Sequence, residues 1–225
     1  MEKTNTVYLD GHVGACFILS RDSGKTVAGL QFYTFIPKEG APQDGKPSER
    51  FDYMRHKVRV TAVGPDGDRL LDIERLCAKD PGIHPYELRG ILRSLPDGSS
   101  FVDCNVEDLK PTSRIQTDPA LNNVAKICGS VVSATYSDRF AKVSVDTGEG
   151  NVYVFFPKET FKEAWEVVAK GNMKKGTMLS LEGPILSREY TDGKSRFLVS
   201  VLTPHTMQQE KLTKRRRQES GRKVG

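Results

Sequence analysis

The chain has no run of apolar residues approaching the roughly 20 needed to cross a bilayer as a helix, so no membrane partner is expected. Its first residues, Met1-Glu2-Lys3-Thr4-Asn5, put no apolar segment behind a basic start; the expectation is a cytoplasmic protein without an export signal. The four cysteines (Cys16, Cys77, Cys104, Cys128) form no Cys-x-x-Cys pair, and the four histidines (His12, His56, His84, His205) are as scattered. Zinc sites need closely spaced ligands, so no metal is expected, and the cysteines read as reduced, buried or half-buried thiols. Catalytic signatures are also missing. There is no Gly-x-Ser-x-Gly elbow and no His-Glu-x-x-His helix. Gly24-Lys25-Thr26 and Gly193-Lys194-Ser195 imitate the end of a phosphate-binding loop, but Leu19 and Arg188 stand where its first glycine is required. Asp66 and Asp68 flank a turn signal, where aspartate is common anyway. A non-enzymatic chain that needs no cofactor is expected.

Acidic residues are scarce in one place only. The formal net charge is +5, and the segment 211–223 holds seven Lys or Arg against Glu219 alone, which leaves the rest close to neutral. Bulk basicity therefore says little about partners, and any binding face must come from local arrangement. The basic segment reads either as a solvated end or as an arm that adds nonspecific phosphate contacts. A chain of 225 residues, 37% hydrophobic and 28% charged, has room for one large globular domain or two small ones.

Strand signals dominate the first half. Residues 6–19 are rich in β-branched and aromatic types, Arg21-Asp22-Ser23-Gly24 marks a turn, and 26–36 reads as a second strand ended by Pro37. Residues 38–49 read as a loop and 56–63 alternates again. Asp66-Gly67 offers a hairpin turn, with 69–76 returning as a strand. Apolar residues at 88, 91, 92 and 95 have helical spacing, which predicts a helix over 85–95, and 100–109 reads as another strand. The proline-bounded stretch 111–119 marks a boundary.

The second half is more regular. Strands are expected over 124–135, 140–145 and 152–156, then a helix with Thr160 and Glu163 in a capping-box pattern. Its apolar residues Phe161, Ala164, Trp165, Val168 and Ala169 fall on one face, which makes Trp165 a core residue rather than a contact. Strands 178–186 and 196–202 follow, joined across Thr191-Asp192-Gly193. Five short strands with a helix between the third and fourth is the arrangement of an OB barrel.

At this point the residues resemble a family. Asn123-Val124-Ala125-Lys126-Ile127-Cys128-Gly129, Lys174-Lys175-Gly176-Thr177 leading to Glu182-Gly183, and Arg188-Glu189-Tyr190-Thr191-Asp192-Gly193-Lys194-Ser195-Arg196-Phe197 are similar, in order and spacing, to elements of bacterial and phage single-stranded DNA-binding proteins. The first half opens alike: Asn5 and Gly11 repeat the spacing of Asn123 and Gly129, and Ser23-Gly24-Lys25-Thr26-Val27-Ala28 resembles the family's first turn and second strand. The resemblance implies an all-β chain with minor α, built as two tandem five-stranded OB-fold barrels, the second with a helix between strands 3 and 4. The expected organisation is a divergent OB-fold domain over 1–112, a linker over 113–121, an OB-fold domain over 122–206 and a basic, disordered tail over 207–225. Tyr33-Thr34-Phe35-Ile36-Pro37 echoes Tyr153-Val154-Phe155-Phe156-Pro157, yet the family register puts the first on strand 2 and the other on strand 3, so true duplication and chance both stay open. The family ends in an acidic tip that recruits enzymes. This chain carries Lys214-Arg215-Arg216-Arg217 there, so replication or recombination proteins are not expected to dock by that route.

The resemblance implies sequence-tolerant binding of single-stranded DNA, which requires cations along the phosphates and flat faces under the bases. Alternation turns Tyr153 and Phe155 outward from Val152, Val154 and Phe156, and Tyr33 and Phe35 outward from Phe32, Thr34 and Ile36. Such aromatics either stack bases or seal barrel against barrel. Phe51, Tyr53, Arg55, Lys57 and Arg59 interleave rings and cations, Tyr136 borders Arg139 and Lys142, and Arg188 and Tyr190 border Lys194 and Arg196; Lys175 adds a loop cation. Replication, recombination, or plasmid or phage propagation is the expected setting, with a homo-oligomer possible in principle. The alternatives are an OB-fold assembly subunit of a primosome or conjugation complex, and an RNA-binding module.

Overall fold

The computed structural model describes residues 2–209 except 43, 45, 81, 96–99, 193, 194 and 205, and gives only the backbone of 47, 48, 188–192, 195–201, 206 and 209. Of the tail expected over 207–225, residues 207–209 fall in the strand Thr206–Gln209, and 210–225 lie outside the described residues.

The first half runs β1 (Thr4–Asp22), β2 (Lys25–Pro37), the one-turn α1 (Pro47–Arg50), β3 (Phe51–Val63), α2 (Gly67–Lys79), β4 (His84–Ser94), β5 (Ser100–Asn105) and β6 (Leu109–Pro111). β1 pairs with β2, β2 with β3, β3 in parallel with β5, β5 with β4, and β4 back onto β1, which closes a ring. After the one-turn α3 (Pro119–Asn122) come β7 (Asn123–Tyr136), β8 (Phe140–Asp146), β9 (Asn151–Pro157), α4 (Lys162–Ala169), β10 (Met178–Gly183), β11 (Ile185–Asp192), β12 (Ser195–Leu202) and β13 (Thr206–Gln209). Here β7 pairs with β8, β8 with β9 and β9 in parallel with β12; β13 pairs with β10, and β10 with β7. Both halves thus follow the five-strand OB order, with strand 4 formed by β4 in one and by β10 and β11 in the other.

Register shows how closely one half repeats the other. β1 and β7 pair antiparallel from Thr4↔Cys128 to Leu9↔Asn123, so equivalent strands meet about a local two-fold at Val7↔Ala125. Asn5 is buried and clamps β4, its Nδ2 donating to the Leu92 carbonyl (2.8 Å) and its Oδ1 accepting from the Leu92 N–H (3.0 Å). Asn123 makes the same pair of bonds to Ile185, at 2.8 and 2.9 Å. A Cβ on Gly11 would run into the Tyr33 carbonyl, and one on Gly129 into the Asp146 carbonyl, so only glycine lets strand 2 cross there. The two rings also grip each other reciprocally. The Ser94 hydroxyl of strand 4 accepts from the Tyr153 N–H (3.3 Å), while Ser187 of the other strand 4 meets His56 Nδ1 (3.3 Å).

Four expectations are corrected. Residues 69–76 are not a returning strand but the middle of α2: Leu70 and Ile73 are buried and Cys77 packs on the same core, a helical spacing that Asp66-Gly67 begins rather than reverses. Residues 85–95 are not a helix but β4. Leu88 and Leu92, four apart, satisfy both periods, and pairing with β1 and β5 selects the strand. The first half therefore also has its helix between strands 3 and 4. Thr160 does not cap α4, which starts at Lys162 after Phe161; the Phe161 ring is drawn onto Phe156 (5.5 Å between centroids), and Gly171, at φ 68°, ends the helix. The expected strand 100–109 breaks into β5, a 3-10 turn and β6.

Candidate nucleic-acid interface

OB barrels take oligonucleotides on the face of strands 2 and 3, which here means β2–β3 and β8–β9. On β9, Val152, Val154 and Phe156 are buried, while Tyr153 and Phe155 lie half-buried on the outer face, as alternation requires. Lys142 of β8 pairs with Phe155 in the ladder and holds its ammonium 3.9 Å from the Tyr153 ring centre and 6.0 Å from that of Phe155. A cation held on an aromatic face is attracted by the ring quadrupole, and its remaining N–H donors stay available to an anion. Phe140 extends the face, its ring 5.2 Å from Phe155.

At the far end of β7, Tyr136 is 59% exposed and stands edge-on to Trp165 (6.1 Å). Trp165 is only partly in the core. Its indole N–H donates to the Ser137 carbonyl (2.9 Å), and the Lys158 ammonium lies 4.2 Å from the ring. Arg139 is exposed in the adjoining turn, whereas Lys175 is exposed in the loop before β10, across β7 from this face.

The β2–β3 ladder gathers the other group: Tyr33 opposite Arg55, Phe35 opposite Tyr53, Gln31 opposite Lys57 and Pro37 opposite Phe51. Tyr33 stacks on His12 of β1 (5.0 Å, 17°) and donates from its hydroxyl to Gln31 Oε1 (3.0 Å). Tyr53 is 41% exposed, and Lys57 is exposed. Phe35 corrects the sequence reading: it is 3% exposed, covered by His12, Phe51 and Tyr53 at 5.1–5.8 Å, while Ile36 is the exposed neighbour. Phe51 is buried too, with the Arg50 guanidinium 5.1 Å above its ring. Phe35 and Phe51 hold up the platform rather than form its surface.

Arg59 is committed to a structural network. It binds Asp103 through Nε (2.9 Å) and Nη2 (2.7 Å) and lies 4.7 Å over Phe101, and Arg93 adds a 2.7 Å bond to the same carboxylate. Burial alone would raise the Asp103 pKa; the hydrogen bonds from Arg59 and Arg93 overcome it and hold the carboxyl below its usual range. The side chains of Arg188, Tyr190 and Arg196, and Lys194 altogether, lie outside the described residues.

His12, Phe140 and Lys158 escaped the sequence reading. Phe140 was legible, since it starts a strand two positions before Lys142. His12 was not, because only the pairing of β1 with β2 brings it to Tyr33. Among the described residues no group of three or more His, Cys, Asp or Glu side chains could hold a metal ion, and no helix is long and apolar enough to cross a membrane.

No family model matches the chain, and no curated protein matches it. Solved structures do. The wild-type single-stranded DNA-binding protein of Thermus aquaticus superposes with a TM-score of 0.60 at 15% identity, over 94% of this chain and 95% of that one. A deletion mutant of the same protein gives 0.59 at 15% identity, over 96% and 99%. The likeness is one of fold, and it extends through both rings.

Proposed function

We propose that this chain binds single-stranded DNA without regard to sequence, and that it protects or organises the strand in replication, recombination or the propagation of a mobile element, without catalysing a reaction. The observation that carries the reading is the Lys142–Tyr153–Phe155 face: a cation resting on two half-buried rings, on the strands that OB barrels use for oligonucleotides. Tyr33, Tyr53 and Lys57 bring two rings and a cation to the strand 2–3 face of the other ring. Flat rings accept any base, so affinity follows strand length rather than sequence. The Thermus aquaticus protein of the same fold, which is named for binding single-stranded DNA, supports the same assignment.

The test is titration of the full chain with oligo-dT of increasing length across a salt series. Expected are binding that strengthens with length, a clear preference over duplex, and a fall in log affinity with log salt of about 0.7 for each phosphate engaged. Tyr153→Ala and Phe155→Ala should each weaken binding by about 1–3 kcal/mol with the oligomeric state unchanged. Equal affinity for duplex and single strands would sink the proposal. So would dissociation of an oligomer by these variants with DNA affinity retained, which is the result an assembly subunit gives. Competition between dT and rU oligomers of equal length separates a DNA-binding from an RNA-binding role.

A further inference from the structure

The ladder registers identify which residues of one ring stand where residues of the other do. His12↔Tyr33 in the first corresponds to Ser130↔Asp146 in the second, and a β-bulge follows one residue on in both, between Val13 and Ala15 and between Val131 and Ser133. Continuing past the bulge, Phe17↔Gly29 matches Thr135↔Lys142, Gly29↔Arg59 matches Lys142↔Phe155, and Gln31↔Lys57 matches Ser144↔Tyr153. The counterpart of the Lys142–Tyr153–Phe155 face is therefore not Tyr33 and Phe35 but the ground around Gly29, with Phe17 on one side and Lys57 and Arg59 on the other.

That ground is an open groove lined by Phe17, Leu19, Gly29, Gln31, Arg55 and Lys57. Phe17 is 53% and Leu19 63% exposed, an unusual outlay of apolar surface side by side on a strand. Gly29 carries no side chain to fill the floor, and the Leu19 side chain leans over it. Aromatic and cationic groups have changed strands between the rings: the second ring has its cation on strand 2 and its rings on strand 3, the first its ring on strand 1 and Lys57 on strand 3. A ring and a cation again line the equivalent point.

We infer that this groove is a further base-stacking site, in which an unpaired nucleobase lies against Phe17 while Lys57 meets the adjoining phosphate. The inference rests on the proposed single-strand binding. Lys57 supplies the charge complement to a phosphodiester, and the groove adjoins the Tyr33–Tyr53 patch through Arg55 and Gln31, so one strand can run along both. Apolar contact with a protein would need no cation at this spot.

The experiment compares wild type, Phe17→Ala and Phe17→Trp in binding to oligo-dT and to an abasic strand of equal length, with thermal melts confirming the fold. Phe17→Ala should bind dT about tenfold more weakly, within the range for one stacked base, and the abasic strand as wild type does. Phe17→Trp should retain affinity and show a quench on dT beyond that of the single native Trp165, which the abasic strand does not produce. If wild type fails to bind dT, the single-strand reading falls and this site with it. If wild type binds and Phe17→Ala binds equally well, or if the loss persists on the abasic strand, the groove alone is refuted. A drop in oligomer mass in Phe17→Ala with dT affinity intact also refutes it and assigns the groove to a second copy.

Discussion

In the first ring Asn5 grips Leu92, and in the second Asn123 grips Ile185; Gly11 and Gly129 admit strand 2 at matching points, and the same bulge follows. The groups that make a ring close and keep its register are repeated. The outer faces are not: Gly29 stands where Lys142 does, Lys57 where Tyr153 does and Arg59 where Phe155 does. Interior groups are constrained by close packing and by backbone atoms that must find partners, so they tolerate few alternatives. An outer face that needs only rings and cations within reach of a strand can take them from any neighbouring position.

The hardest test of the scaffold half of this comparison is steric. Gly129→Val should cost on the order of 4 kcal/mol, because its Cβ meets a carbonyl that cannot move without breaking the β7–β8 ladder, and Gly11→Val should cost as much. Because β1 and β7 share a ladder, either variant should lower one common melting transition, read by calorimetry; two separate transitions would show that the rings unfold independently. Next, Asn5→Ala and Asn123→Ala each strand two buried backbone groups, at about 3 kcal/mol, and chemical denaturation should give the two nearly equal losses.

A smaller effect separates the halves. His56 is fully buried between Thr34 (2.9 Å) and Ser187, and burial pushes its pKa down to about 3, whereas the equivalent position of the second ring is Val152. The unfolded chain binds the proton below about pH 6.5 and the folded one does not. Stability is therefore fully present above that pH and falls as pH drops toward 3, by up to ~1.4 kcal/mol per unit. His56→Gln should flatten this slope in urea melts at pH 5 and pH 7, whereas changes at Val152 should leave it intact. Smallest of all, Lys175→Ala should reduce the salt dependence of dT binding by no more than about 0.7 in slope if its exposed ammonium meets a phosphate, with the fold unchanged.

Much of the second ring was legible because most of its strands are short and bounded by turn residues, and β9 and β10 alternate strictly. Tyr153 and Phe155 could be placed outside from the three buried residues beside them. The first ring resisted for identifiable reasons. Leu88 and Leu92 fit a helix as well as a strand, and an Asp-Gly pair signals a hairpin as readily as it begins α2. Phe35 has the outward parity of Tyr33 but is roofed by His12, Phe51 and Tyr53, which come from two other strands.

Phe17 shows the division most clearly. Counted from Val7, Leu9 and Val13, which point inward, an odd-numbered residue of β1 belongs in the core; the bulge after Val13 inserts one residue, Cys16 becomes the buried one, and Phe17 and Leu19 turn out. The amino-acid sequence by itself determined the class of fold, the order β-β-β-α-β that opens the second half and the two sides of β9, because alternation and turn chemistry act locally. Which residues of the two halves are equivalent, and which rings and cations meet, was decided only in the tertiary structure. Register across a ladder depends on bulges and loop lengths whose energies are settled by pairing with strands far away in the chain.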